Sequence, residues 1–256
     1  VTDAAALLGL PPTEPLPADD PVVPRLRAAV RADETPTAAV DVPTGVLGAA
    51  LIAVLPDALE RHRALGVPEG VTAATLSDVG RKIDAYGATV DIPWLIGLLR
   101  GDVLALGRLQ FEREADPAGR AIHIPEDGSL TPDSVDASVA EARALFGEGT
   151  LICTSWLLDP TLSALPPGSN IVSFAQRFDI ETAAPDASKE RAADEDATAG
   201  KHRAGDEAAA KFVFRRPLAA VLDPAVTRPR TALERLVAEH LRAGGHWTEP
   251  RGVLRD

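Results

Sequence analysis

The stretch Ala121–Phe146, AIHIPEDGSLTPDSVDASVAEARALF, decides how this chain is read. AIHIP alternates apolar and polar residues, which is the period of a strand. From Pro132 to Phe146 the apolar positions Val135, Val139, Ala142 and Phe146 share one helical face. Thr131 suits an N-cap, Pro132 fits the first helical position, and Asp133 complements the helix dipole. TLICTSWLLD (150–159) follows, rich in β-branched and large apolar residues, and reads as a second strand. Strand, helix, strand implies a right-handed crossover between two parallel strands.

The rest of the chain is read around that unit. RLQFERE (108–114) alternates, with Leu109 and Phe111 on one face, and DPAG (116–119) is a turn signal. The preceding residues read as helices. Pro56 is expected to kink or divide the helix in VLGAALIAVLPDALERHRALG (46–66). Thr72 is expected to cap the next helix, which Gly87 ends. PWLIGLLRGDVLALG (93–107) is expected as one further helix. Downstream, SNIVSFAQRF (169–178) starts as a short helix and runs into a strand, RFDIE (177–181). KFVFRR (211–216) reads as its hairpin partner. Residues 181–210 hold almost no apolar side chain beyond alanine and read as a disordered insertion between the two. Thr231 and Glu234 fit a capping box for a last helix that Gly244 stops. The expectation is an α+β protein, with a helical domain over 1–107 packed on a mixed β-sheet domain with flanking helices over 108–256.

Hydrophobic residues make up 45% of the chain and charged residues 25%, enough for a sizeable core. The net charge of −12 disfavours nucleic acid and anionic membrane surfaces as partners. Cys153 is the only cysteine, which excludes an intrachain disulfide. No signal peptide or membrane-length apolar run is read, so the expected location is the cytoplasm. The excess of arginine over lysine, with abundant Ala, Pro and Asp, points to a GC-rich bacterial source.

The candidate chemistry gathers around the crossover. The loop from Gly128 to Ser134 has two readings. It is a capped turn, or its hydroxyls at Ser129, Thr131 and Ser134 meet a phosphate at the helix terminus, with Gly128 letting the backbone approach. Glu126, Asp127 and Asp133 oppose the second reading. His123 points opposite to Ile122 and Ile124 in an alternating strand and can act as a base near neutral pH. No second His or Cys stands at metal-ligand spacing from it, so no metal is expected. Ser155 can orient a carbonyl or protonate a leaving group. Cys153 reads as a small buried hydrophobe, and Asp159 as a turn residue or a lesser base.

Several segments, in order, carry a resemblance: ALGVPEGVTAATLSDVGRKIDAYG, LGRLQFE, HIPEDGSLTP, TSWLLDP, LPPGSNIVSFAQRF, FVFRRP and LRAGGHW. Together they resemble a bacterial two-domain acyltransferase-like family, a helical N-acyltransferase N-terminal domain joined to a GNAT-like C-terminal domain. The resemblance implies a GNAT-like mixed sheet and acyl-CoA as co-substrate. It implies transfer of the acyl group to an amine of a small-molecule or peptide acceptor. The implied co-substrate residues are Ile124, Gly128, Ser129, Leu130, Thr131, Ser134 and Asn170, and the implied catalytic residues are His123 and Ser155. The sequence departs from the family at three places. Its loop lacks the Arg/Gln-x-x-Gly-x-Gly/Ala pattern, Thr154 stands where a histidine is often found, and Phe174 and Phe178 stand where GNAT proteins use a tyrosine. The alternative reading is therefore a GNAT-like binding or scaffold protein without catalysis.

Overall fold

The computed structural model describes residues 4–33, 40–181 and 191–255, with the backbone alone at 191–202. It divides into two compact units, Val1–Glu114 and Ala115–Asp256.

The first unit contains α1 (Ala4–Leu7), α2 (Val22–Arg31), α3 (Leu47–Ala64), α4 (Glu69–Tyr86), α5 (Ile92–Arg100), β1 (Val103–Leu106) and β2 (Leu109–Glu112). Its core is aliphatic, built from Leu26, Leu51, Leu55, Leu76, Leu95 and Leu99 among others. α3 runs unbroken through Pro56. Proline removes one backbone donor, but Val54, Leu55 and Ala58 around it are fully or nearly fully buried, and that burial holds the helix. α4 starts at Glu69, ahead of Thr72. Thr72 is instead buried, and its Oγ1 meets His62 Nδ1 at 3.2 Å. The expected helix over 93–107 splits. Gly101 takes the left-handed conformation (φ +70°) that ends α5, and β1 follows as the first arm of a hairpin with β2. Arg100 is buried at that junction. It donates to the Ala29 and Ala32 carbonyls at 2.9 and 2.7 Å and to Asp102 Oδ2 at 2.6 Å. By compactness the β1–β2 hairpin groups with the helices of the first unit.

The second unit contains β3 (Arg120–His123), α6 (Pro132–Phe146), β4 (Leu151–Thr154), α7 (Asn170–Ala175), β5 (Phe178–Ile180), α8 (Arg191–Phe214), α9 (Leu218–Leu222), α10 (Ala232–Arg242) and β6 (Arg251–Leu254). β3 and β4 are parallel, as the crossover requires. β6 lies antiparallel between β4 and β5. The chain is therefore α+β with a mixed sheet.

Two expectations fail here. KFVFRR is not a strand: α8 continues to Phe214. Residues 191–210 are also helical rather than a disordered insertion, while 182–190 lie outside the described residues. The reason is local. Ala208–Ala210 favour helix, and Ala209 and Ala210 are fully buried in a cluster with Trp156, Leu162, Val237, Leu241 and Trp247. Asp206 adds a polar anchor, accepting from Trp247 N at 2.7 Å and His246 Nδ1 at 2.8 Å. The partner of β5 is the C-terminal RGVL segment, whose glycine conceals it as a strand.

Candidate active site

β3 and β4 pair over Arg120↔Leu151, Ala121↔Ile152 and Ile122↔Cys153. Each strand runs one residue further, to His123 and Thr154, beyond the last paired position. His123 therefore stands at the mouth of the parallel pair, next to Thr154 in register. Ile122 is buried, and His123 and Ile124 are half-buried.

The loop after β3 turns at Gly128, whose φ of +74° is a conformation glycine adopts without strain. Leu130 buries its side chain and anchors the loop. Thr131 then caps α6, its Oγ1 accepting from Ser134 N at 3.3 Å, with Pro132 in the first turn. Ser134 Oγ accepts from Thr131 Oγ1 at 3.0 Å and donates to the Thr131 carbonyl at 2.8 Å. At its other end α6 is held by Arg120, whose guanidinium lies 3.7 Å from the centre of the Phe146 ring.

A second loop meets the first. Asn170, at the start of α7, donates from Nδ2 to Ser129 Oγ at 2.7 Å. Two residues chosen from distant parts of the sequence are thus in direct contact. Past the far end of α7, Arg177 donates to both oxygens of Asp136 on α6, 3.2 Å for the Nη2–Oδ2 contact, and to the Pro132 carbonyl at 3.3 Å. The Arg177 hydrogen bond holds the Asp136 carboxyl below the usual carboxylate range, and the same bond pushes the guanidinium up. Sequence reading missed this pair, because 41 residues separate its members and no local pattern links them.

Ser155 was expected on the second strand. β4 ends at Thr154, and Ser155 instead caps a 3₁₀ turn over Trp156–Leu158. Its Oγ accepts from Leu157 N at 3.1 Å, and its own amide donates to the Pro250 carbonyl at 3.2 Å. The hydroxyl proton is left to donate elsewhere. Trp156 is buried edge-on against Trp247, with centroids 5.8 Å apart. Cys153 is buried, and burial pushes its thiol up to about 12, which makes it inert as a nucleophile. Asp159 is also buried. Burial works to raise its carboxyl, but hydrogen bonds from Thr248 and Thr161 outweigh it and hold the group below its usual range. Such a carboxylate is a weak base, and the role of Asp159 is to join two segments.

The structure thus brings Gly128, Ser129, Leu130, Thr131, Ser134 and Asn170 into one loop cluster at the start of α6. His123, Ile124 and Ser155 lie at the ends of the two parallel strands. An anion at the α6 terminus would meet backbone N–H groups and hydroxyls, with four carboxylates (Glu126, Asp127, Asp133 and Asp136) close by in sequence. Among the described residues, no group of His, Cys, Asp and Glu is arranged to hold a metal ion. None of the described helices is long and apolar enough to cross a membrane.

Residues 103–254 match the GNAT-like C-terminal domain, and residues 3–96 match the N-acyltransferase N-terminal domain. The chain belongs to the two-domain acyltransferase-like family. Structural relatives of this acyltransferase-family chain agree in fold along nearly all of its length. One is an acyltransferase in complex with decanoyl-CoA and teicoplanin, 26% identical, with a TM-score of 0.77, covering 98% of this chain and 86% of its own. Another is an acyltransferase in complex with CoA and 10C-teicoplanin, 26% identical, TM-score 0.77, covering 99% and 86%. A third is an acyltransferase mutant in complex with octanoyl-CoA, 25% identical, TM-score 0.77, also covering 99% and 86%. No curated protein matches the chain.

Proposed function

We propose that this protein is a GNAT-type acyltransferase that moves an acyl group from acyl-CoA to an amine of a small-molecule or peptide acceptor. The observation that carries the reading is the end of the parallel β3–β4 pairing at Ile122↔Cys153, where the loop after β3 leads into the capped α6 terminus. Pantetheine amides can pair along a parting strand, and the pyrophosphate then falls at a helix N-terminus. The family match and the acyl-CoA complexes of the relatives support the same co-substrate. Decanoyl-CoA beside teicoplanin in one relative and CoA beside 10C-teicoplanin in another favour a glycopeptide-like acceptor. An acyl-CoA substrate also favours the cytoplasm as the place of action.

In the reaction the amine nitrogen attacks the thioester carbonyl. The C–N bond forms, the C–S bond breaks, and the amine proton must leave as the thiolate gains one. His123 is assigned as the base that takes the proton from the attacking amine. Ser155, with its hydroxyl proton unspent on Leu157, is assigned as the donor to the carbonyl or the thiolate. Ile124, Gly128, Ser129, Leu130, Thr131, Ser134 and Asn170 are assigned to the co-substrate. A second reading, a binding protein without catalysis, is favoured by buried Phe174 and Phe178, where a tyrosine acid would be wanted.

Calorimetric titration with acetyl-CoA, octanoyl-CoA and decanoyl-CoA, followed by a transfer assay on a glycopeptide amine, tests both readings. The proposal expects binding and turnover, with turnover lowered about 10²-fold or more in His123→Ala and less in Ser155→Ala. Absence of binding at millimolar ligand sinks the proposal. Binding without turnover for any amine selects the second reading.

A further inference from the structure

We propose that Arg177 is a positioning residue for the acyl-CoA site, acting through Asp136 and Asn170; this rests on the acyl-CoA reading above. α7 is fastened to the α6 loop at both ends. At its start Asn170 Nδ2 reaches Ser129 Oγ at 2.7 Å. Just past its end, Arg177 clamps the first turn of α6 through both Asp136 oxygens and the Pro132 carbonyl. α7 is only six residues long and has no side-chain cap of its own, so these ties set where Asn170 sits. Arg177 is itself held from the other side, since Arg255 N donates to its carbonyl at 2.8 Å in the strand region of β5 and β6. The clamp therefore connects the sheet to the loop that carries the hydroxyls.

The pair is a poor candidate for a merely stabilising role. The Asp136 side chain is 64% exposed and that of Arg177 25%, and ion pairs in such surroundings contribute little to folding. The bidentate geometry fixes orientation instead.

Electrostatics and positioning make opposite forecasts for one substitution. Asp136→Asn removes a negative charge from the turn where the CoA phosphates would bind. By charge alone, affinity should rise. By positioning, it should fall, because Arg177 loses its bidentate partner. The experiment is calorimetry with CoA and decanoyl-CoA, together with acceptor kinetics and thermal unfolding. Wild type, Asp136→Asn, Arg177→Ala, Arg177→Lys and the exchange Asp136→Arg with Arg177→Asp are compared. The expected result is at least a five-fold loss of CoA affinity in Asp136→Asn and in Arg177→Ala. Arg177→Lys and the exchange should recover part of it, with acceptor KM unchanged and the melting temperature nearly so. Unchanged or tighter CoA binding in Asp136→Asn overturns the proposal while leaving acyl transfer intact. Absence of CoA binding in the wild type removes the acyl-CoA reading and this inference with it.

Discussion

Asp159 shows how burial and hydrogen bonding together assign a role that residue type alone leaves open. It is 5% exposed and accepts from Thr161 N at 2.9 Å, Thr248 N at 2.9 Å and Thr248 Oγ1 at 2.5 Å. A carboxylate with that many donors is a structural tie between the end of β4 and the approach to β6. Asp159→Asn replaces an acceptor-only group by one that must turn two donors toward donors. The cost should be about 1–3 kcal/mol of stability at neutral pH. The fold favours the ionised form, so this contribution is complete above the ordinary value of 3.8 and is lost as pH falls through the lower folded value. The gap between wild type and Asp159→Asn in urea unfolding should therefore close toward strong acid. The pH dependence of turnover should be unaltered in the variant; a lost basic limb would return Asp159 to the list of bases.

Among the elements, β6 holds the sheet of the second unit together, and its glycine is the reason. Gly252 pairs with Cys153 on one side and Ile180 on the other. A Cβ there would meet Phe178 Cβ at 2.9 Å, Ile180 Cδ1 at 3.1 Å and Leu158 Cδ1 at 3.2 Å. Isoleucine and leucine tips can move, but the Phe178 Cβ is fixed to its backbone. Gly252→Ala should thus destabilise by about 1–3 kcal/mol, against the usual gain for alanine over glycine in a strand. A raised melting temperature would overturn this steric account. The same glycine explains what could be read beforehand. The crossover from β3 through α6 to β4 was legible because its pattern is local: a period of two, a capped helix, a β-rich run. The capping box at Thr231 was legible for the same reason. β6 was not, since a four-residue strand with glycine inside it carries no local signal and is specified by its two neighbours. KFVFRR misled in the opposite sense, with alternation over two phenylalanines too short to compete with the alanine run before it. In the site, Thr131 was visible as a cap, whereas Ser129 with Asn170 and Arg177 with Asp136 exist only once α7 has docked.

At the scale of the whole molecule, charge sets the terms on which an anionic co-substrate arrives. The chain carries a net charge of −12, and the loop leading into α6 adds Glu126, Asp127 and Asp133. Arg177, which reaches that turn, is already engaged with Asp136. An incoming acyl-CoA, with its phosphates, therefore approaches against a repulsive field. Raising ionic strength from about 0.01 M to 0.15 M shortens the screening length from about 30 Å to about 8 Å. Long-range repulsion weakens more than the short hydrogen bonds of the bound state. The association rate of decanoyl-CoA should accordingly rise by about two-fold or more over that range, the reverse of the usual behaviour of phosphate-binding proteins with basic clefts. Stopped-flow binding can read this directly, with a decanoyl pantetheine thioester, which lacks the phosphates, as the control. The control should show no such dependence. A rate that falls with salt for the CoA ester alone would mean that a basic surface guides the phosphates, and that the acidic loop does not face them.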